Sequence, residues 1–347
     1  MSCMFHGFNV CSILLQRLLS FLCPLPKSIP VILPLLYGLY VTPCSAQTVT
    51  DSLADDFRSV VARHFSRYRT VNLYWEMKGS HNYTFTAGGK EIAKGRKRDI
   101  HAIRFSTMIP MLRKKSFSLY GNLQYSSYLT RFTDTPSRIF TKEDYSHYQG
   151  GLSASYFVTL FGRPLLLSAD VSVDGWNDGW GMLQGHFVAA MVLARKERTG
   201  ISAGLAAMTL GEVPVVPVFS YWHRFNNPDW SVDITLPSQM YLRYQRKSQR
   251  ISAGASMSVD NFYLHTDLPD LPQVCYYSEA AMKPEIMYEY IINRHFYLSA
   301  RAGLSIPLKG GLYTKGREAI EIDGDELEQN RSAVPFFHVG VSYSLFK

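Results

Sequence analysis

The feature that most restricts the fold of this chain is an alternation of apolar and polar residues over runs of about ten residues. In 117–129, for example, Phe117 and Leu119 share one face, and Asn122 and Gln124 lie on the other. Successive side chains of a β-strand point to opposite faces, so this period of two predicts strands with one apolar and one polar face. Such runs can cross a bilayer at a tilt, whereas strands of soluble sandwiches usually have about 5–6 residues.

Fourteen segments of this kind follow one another from residue 69. They are 69–78, 97–110, 116–131, 147–160, 165–174, 185–193, 201–210, 215–224, 230–236, 240–246, 250–263, 283–292, 296–307 and 334–346. The ninth and tenth are separated at Pro237, because proline cannot donate a hydrogen bond within a sheet. Outer-membrane barrels have an even number of strands. We therefore predict an all-β, antiparallel up-and-down transmembrane β-barrel over 69–347, with twelve strands as the alternative.

The connections between these segments differ in length from one side to the other. Long connections follow the first, third, fifth, eleventh and thirteenth segments, at 79–96, 132–146, 175–184, 264–282 and 308–333. Connections after even-numbered segments are short. Membrane barrels have short periplasmic turns and longer outer loops, so both ends of the predicted barrel face the periplasm.

Composition argues against two other classes of protein. The mean hydropathy is −0.07, and only 18% of residues are charged. A helical membrane protein needs spans of about 20 consecutive apolar residues. The formal net charge of +8 would suit a nucleic-acid ligand, but the basic residues are spread in small groups between the strands. We predict no nucleic-acid partner.

The first 46 residues predict a secretory leader. Lys27 is followed by an apolar run and then by small residues, with cleavage expected after Ala46. Cys44 suggests a lipoprotein as an alternative, and the pattern leaves open whether translation truly starts after 1–26 or whether two apolar stretches are retained as an anchor. In 50–66, apolar residues recur at helical spacing. We therefore predict a short periplasmic or lumen-plugging helix within 47–68.

Several stretches also resemble a known family. They are "NLYWEMKG" (72–79), "SLYGNLQYSSY" (118–128) and 213–254, which includes Tyr221–Arg224 and the Leu-Pro pair at 236–237. In these stretches the chain resembles an uncharacterised outer-membrane β-barrel family of Gram-negative bacteria, known only as a domain of unknown function. The resemblance implies the barrel fold and an outer-membrane location, and it brings no active site. The alternating C-terminus "FHVGVSYSLFK" is typical of closing strands that the barrel-assembly machinery recognises. We expect contacts with outer-membrane lipid and lipopolysaccharide, and the sequence leaves the oligomeric state open.

No catalytic, metal-binding or cofactor-binding motif is evident in the sequence. The loop 87–98 contains glycines and lysines but lacks the spacing of a phosphate loop, and the histidines lack HExxH spacing. Some outer-membrane barrels are lipid hydrolases with Ser and His on the outer wall. His338 and Ser342 share a face but are too far apart in sequence for direct contact. We predict that the protein is not an enzyme, with a lipid hydrolase as the less favoured alternative.

Five charged residues on predicted polar faces are candidates for lining the lumen. They are Arg104, Asp233, Arg243, Glu289 and Arg301. A three-residue turn at 237–239 would place Asp233 opposite Arg243, and pairing Ile292 with Phe296 would place Glu289 diagonal to Arg301. We expect both ion pairs to hold the interior partly closed.

These features predict a porin-like or small-solute channel, with a closed structural or surface-interaction barrel as the alternative. Four of the five cysteines lie in the leader, so Cys275 should have no intrachain partner. We expect Cys275 in an accessible outer loop.

Overall fold

A computed structural model describes most of the chain after residue 68. The described residues are 69–114, 116–132, 139–140, 142–209, 215–269, 271–293 and 295–345. The predicted leader and the helix at 50–66 lie outside them, as does the first of the chain's two units, 1–45. Within the described ranges no helix is long and apolar enough to cross a membrane.

Fourteen of the described strands form one closed antiparallel ring. In ring order they are β1 (Val71–Lys78), β3 (Lys90–Arg113), β4 (Phe117–Phe132), β5 (Asp144–Leu160), β6 (Arg163–Trp176), β7 (Gly179–Lys196), β8 (Thr199–Met208), β9 (Val215–Arg224), β10 (Trp230–Leu236), β11 (Gln239–Arg246), β12 (Gln249–His265), β13 (Val274–Ile292), β14 (Phe296–Tyr313) and β18 (Val334–Tyr343). β1 pairs with β18 on one side and with β3 on the other, which closes the barrel. The predicted all-β, fourteen-strand barrel is confirmed.

Four shorter strands lie at one end of the barrel. They are β2 (His81–Ala87), β15 (Glu321–Ile322), β16 (Asp325–Glu326) and β17 (Glu328–Arg331). We call this end the loop end, and we call the opposite end, where the ring has the start of β1 and the end of β18, the turn end. The long connections predicted at 79–96 and 308–333 therefore contain paired strands, which their sequences had not led us to predict. The predicted long loop at 175–184 is wrong, since β6 and β7 pair up to Trp176 and Gly179 across a tight turn.

The exterior of the ring is apolar because the alternation places one residue in two on that face. Leu123, Phe187, Leu205 and Ile286 are among many large apolar side chains that remain exposed there. Inward neighbours such as Ser118 and Ser126 are buried and polar. A soluble protein rarely exposes an apolar surface of this extent, whereas a membrane barrel requires it.

The wall of the barrel is much higher on one side than on the other. The strands β8–β11 have only 7 to 10 residues, and we call them the low wall. The strands β3–β5 and β12–β14 have 16 to 24 residues. Together with β1 and β18, which β2 and β17 continue at the loop end, they form the tall wall. β6 and β7 connect the two walls.

Above the low wall, the tall wall closes into a second and narrower ring. β17 pairs with β2 and, through Glu328 and Gly311, with β14. The narrow ring therefore runs through β12, β13, β14, β17, β2, β3, β4 and β5. It is closed by Phe262 of β12, whose ring lies 4.8 Å from that of Tyr145 on β5 and 5.0 Å from that of Tyr128 on β4. A barrel of about eight strands is just narrow enough for side chains to fill it.

The interior of this narrow ring is an apolar core, which we call the cap. Its buried members include Tyr83, Phe85, Phe140, Leu264, Cys275, Tyr277 and Leu312. Cys275 lies within β13 and is fully buried, with its Sγ 3.2 Å from the Pro272 carbonyl oxygen. The prediction of Cys275 in an accessible loop is therefore wrong, because β13 begins earlier than its apolar alternation suggested.

Candidate functional site

Below the cap, the barrel encloses a polar cavity of about 620 Å³. Its lining comes from the inward positions of at least ten strands. Ser, Asn and Gln side chains such as Asn122, Gln149 and Ser256 line it together with charged groups. The same period of two that makes the exterior apolar therefore makes the interior polar.

The charged group nearest the turn end is a cluster of three arginines and two acids, which we call the turn-end cluster. Glu289 accepts hydrogen bonds from Arg69 Nη2 and from Arg250 Nε, each at 2.6 Å. Arg243 Nη2 donates to Asp233 Oδ2 at 3.1 Å. All five side chains are nearly inaccessible to solvent. Buried charges are tolerated only when they are paired, and here each acid has an arginine partner.

The structure brings Asp233 and Arg243 together through a register different from the predicted one. β10 and β11 are joined by two residues, Pro237 and Ser238, so that Asp233 pairs with Tyr241 and Arg243 pairs with Ser231. The predicted three-residue turn is wrong. The ion pair still forms diagonally because both residues remain on the inward face.

The second predicted pair, Glu289 with Arg301, is replaced by other partners. Ile292 does pair with Phe296, and Glu289 lies opposite Ser299. However, Glu289 turns to the arginines of the turn-end cluster. The Arg301 guanidinium lies 3.6 Å from Glu285, in a middle cluster that also contains the pair Lys283 and Glu76, joined at 2.8 Å.

Arg104 belongs to an upper cluster just beneath the cap. It donates to Asp260, which also accepts from Lys78. Arg331 of β17 holds Glu279 through two hydrogen bonds of 2.6 and 2.7 Å. The tall wall therefore carries a column of paired charges from the turn end to the cap.

Side chains also cross the loop end beside the cap. Arg317, in the connection after β14, donates to Asp174 of β6 and lies over the ring of Tyr276 at 2.8 Å. Burial lowers the pKa of Arg317, and the Asp174 carboxylate opposes that shift. Asp174 also accepts from the Tyr263 hydroxyl at 3.0 Å. Through Arg317, the connection after β14 therefore contacts β6, which lies nearly opposite β14 in the ring.

Sequence analysis missed several members of these clusters. They are Arg69, Arg250, Glu76, Lys283, Lys78, Asp260, Glu279, Glu285 and Arg331. Most occupy polar positions within alternating segments, and this signal was present in the sequence. Their partners could not be deduced, because most of these contacts join strands that are not adjacent.

The histidine and serine considered for a hydrolase both face the interior. His338 lies 3.9 Å from Glu76, and Ser342 is one of the cavity-lining residues. Among the described residues, no group of three or more His, Cys, Asp or Glu side chains could hold a metal ion.

Comparisons with known proteins give distant matches in fold only. No family model and no curated protein matches the chain. Among solved structures, outer membrane phospholipase A from Escherichia coli is 12% identical, with 83% of this chain and 98% of that chain covered and a TM-score of 0.33. An outer membrane channel from Pseudomonas putida F1 is 8% identical over 78% of this chain and 96% of that one, with a TM-score of 0.32. The P. putida toluene transporter TodX is 9% identical over 84% and 93%, with a TM-score of 0.30.

The fold and the distribution of polarity define the class of this protein. A closed, even-stranded antiparallel ring that is apolar outside and polar inside is the architecture of outer-membrane barrels. The chain is a transmembrane β-barrel of this type, and its location is the outer membrane.

Proposed function

We propose that this barrel is a channel for small solutes, with its passage in the lumen beneath and beside the cap. The observation that carries the proposal is the polar cavity of about 620 Å³ inside a ring of fourteen strands. Barrels of eight strands are filled by side chains, and those of 16–18 strands leave an aqueous channel. A fourteen-strand ring with one wall occupied by paired charges leaves a passage that is narrower than the channel of a barrel with 16–18 strands.

Conductance of the refolded protein in planar bilayers tests this proposal. We expect discrete conductance steps from protein that migrates differently on boiled and unboiled gels. Ala206 and Leu205 are neighbours on β8 that point inward and outward, respectively, and Leu205 is exposed. Ala206→Trp should reduce the conductance at least by about half by narrowing the lumen, whereas Leu205→Trp should leave it unchanged. A correctly folded barrel without conductance would exclude the channel.

The cap favours a second candidate, a closed structural or surface-interaction barrel. Its core side chains are as inaccessible to solvent as those of a soluble protein interior, with Phe85 and Phe140 fully buried. In that case the same bilayer measurement gives no conductance although the barrel is folded. A lipid hydrolase is the third candidate, and an assay on phospholipid and lipid A tests it separately.

We further propose that outer-membrane lipid, lipopolysaccharide and the barrel-assembly machinery are the partners of this chain. The exposed apolar exterior supports the lipid contacts. In the closing strand β18, Phe337, Val339 and Val341 form an outward apolar face, which is the feature that supports recognition by the assembly machinery. The same features support membership in the uncharacterised outer-membrane family that the sequence resembles.

A further inference from the structure

Within the cavity, the inward face of β4, β5 and β6 carries amides, hydroxyls and one carboxylate around a glycine. Gly151 of β5 lies between Asn122 of β4 and Ser172 of β6 in the strand registers. Neighbouring inward residues of the same strands line the cavity with them. We call this set the polar recess, and its members are Asn122, Gln124, Gln149, Gly151, Ser153, Asp170 and Ser172.

The centre of the polar recess is bare backbone. A Cβ at Gly151 would lie 2.6 Å from the Cβ of Ser172 and would also collide with the Val171 carbonyl oxygen, so no larger residue fits there. Glycine is the residue that lets a ligand come close to the backbone. The polar side chains around Gly151 therefore frame a shallow floor.

The hydrogen bonds inside the recess leave acceptors unused. Asn122 donates through Nδ2 to Ser153 and, at 3.1 Å, to Asp170 Oδ2. Ser153 also donates to Asp170 Oδ2, and Gln149 Nε2 donates to Ser172 Oγ at 2.9 Å. The carbonyl oxygens of Asn122 and Gln149 accept no hydrogen bond from any residue that the structure describes. A hydroxyl group is a donor that these oxygens can take.

Two members of the recess present further polar groups to the cavity. Gln124 is exposed, and within the described part of the chain no hydrogen bond occupies its amide. Asp170 has 29% of its side chain exposed, and the base nearest to its Oδ1 is His186, whose Nδ1 lies 4.0 Å away. Both side chains are therefore available to a molecule in the lumen.

Elsewhere on the cavity wall, charges are paired with one another. Every lysine and arginine of the described lining lies within 4.0 Å of an acid, and these bases are Arg69, Arg104, Arg243, Lys283 and Arg301. Of the lining acids in the described ranges, Asp170 alone has no lysine or arginine within that distance. A neutral solute therefore passes this wall without separating an ion pair, whereas a charged solute competes with existing partners.

We propose that the polar recess binds neutral polyols, such as sugars and sugar alcohols, and that these are the solutes of the channel. Their hydroxyl groups donate to Asp170 Oδ1 and to the free carbonyl oxygens of Asn122 and Gln149, and they accept from the Gln124 amide. The cavity of about 620 Å³ lies within the range of roughly 300–1,000 Å³ that is usual for small-molecule sites. This inference rests on the proposed channel function and names its class of solute.

Partial block of the current in planar bilayers tests the proposal with xylitol and triethylene glycol. Both solutes are neutral and similar in mass, but xylitol carries a hydroxyl on every carbon, whereas triethylene glycol has hydroxyls only at its ends. Xylitol should lower the single-channel conductance further than the change in bulk conductivity requires. Triethylene glycol should lower it only by the bulk effect.

Substitutions assign the block to the recess. Gln124→Leu and Asp170→Asn should each raise the half-blocking concentration of xylitol by about fivefold, since each removes a hydrogen-bonding partner. Gln239→Leu is the matched control, because Gln239 lines the cavity on β11, seven strands away from β4, and it should leave the block unchanged.

Three results would overturn the inference while leaving the channel intact. They are equal block by both solutes, a block that neither recess variant weakens, and a lack of block in a barrel whose Asp170→Asn variant changes only the reversal potential in a KCl gradient. In the last case Asp170 serves cations.

Binding distinguishes these failures from a failure of the channel itself. Saturation-transfer NMR should detect xylitol on wild-type protein in a detergent without a sugar headgroup, and the signal should weaken in Gln124→Leu. A signal without any conductance would retain the recess as a polyol site and exclude transport. Absence of both the signal and the conductance would refute the inference together with the proposed function.

Discussion

In the cap, at the loop end of the tall wall, inward side chains such as Tyr83, Phe140 and Tyr277 are aromatic and buried against one another. On β7, β8 and β9, by contrast, inward residues such as Val188, Ala206 and Val218 are small and half-exposed. Both walls have the same outward apolar face and the same alternation. The membrane therefore constrains only the outer face, whereas the inner face is free to form either a packed interior or a passage.

The difference also explains the distribution of strand lengths. Long strands extend beyond the level of the low wall, and their extra residues need a core of their own to be stable. The cap supplies that core, with Phe85, Phe140 and Tyr277 packed between β2, β13 and the connection before β5. Lys97 lies 3.8 Å above the Phe140 ring and adds a cation–π contact to it.

Removing the central acid of the turn-end cluster should have the largest effect on stability. In Glu289→Ala, Arg69 and Arg250 lose the carboxylate to which they donate. We expect the free energy of unfolding to fall by about 3–5 kcal/mol, because buried charges lose their partner. Urea unfolding in detergent measures this loss. Glu321→Gln, in the exposed strand β15, is the control, and an equally large loss there would show that the cluster has no special role.

A cavity created in the cap should lower the free energy of unfolding by less than Glu289→Ala does, and it should not alter the passage. Phe85→Ala removes a fully buried ring, and we expect a loss of about 3 kcal/mol. The conductance should stay at the wild-type value if solutes pass beside the cap rather than through it. An open-channel conductance raised by this change would mean that the passage runs through the cap.

The ion pair between β10 and β11, in the turn-end cluster, should give an intermediate effect on stability. Arg243→Ala and Asp233→Ala should each destabilise the barrel, and the double variant should lose less than the sum of the two. We expect a coupling of about 0.5–3 kcal/mol, as for residues in direct contact. Arg243→Ala should also raise the conductance, since it removes a side chain that lines the cavity. If the two losses of unfolding free energy simply add, Asp233 and Arg243 do not stabilise each other.

The ring of fourteen strands was predictable because each strand carries its own alternation. The predicted segments 215–224 and 230–236 coincide with β9 and β10. The cap was not predicted, although "HNYTFTA" in β2 alternates, because its buried face contains Tyr and Phe without the long apolar run of a membrane strand. Strand pairing is local, whereas the contacts of Glu289 with Arg69 and of Phe262 with Tyr145 cross the lumen. Such contacts depend on ring closure, which no local pattern encodes.

The smallest expected effect is that of a substitution in the low wall on the opening of the cap. Cys275 reports on the cap because its thiol is buried there, so a thiol reagent should label it only when the cap opens. If labelling follows the open population, each 1.4 kcal/mol lost from the cap raises the rate by about tenfold. Phe85→Ala should therefore accelerate labelling by about a hundredfold. Val218→Ala should change the rate by less than about twofold, because Val218 is a half-exposed inward residue of β9 in the low wall and local opening of the cap does not involve it. Comparable acceleration by the two variants would mean that the cap and the low wall open as one unit, and the energetic separation between these two regions would then fail.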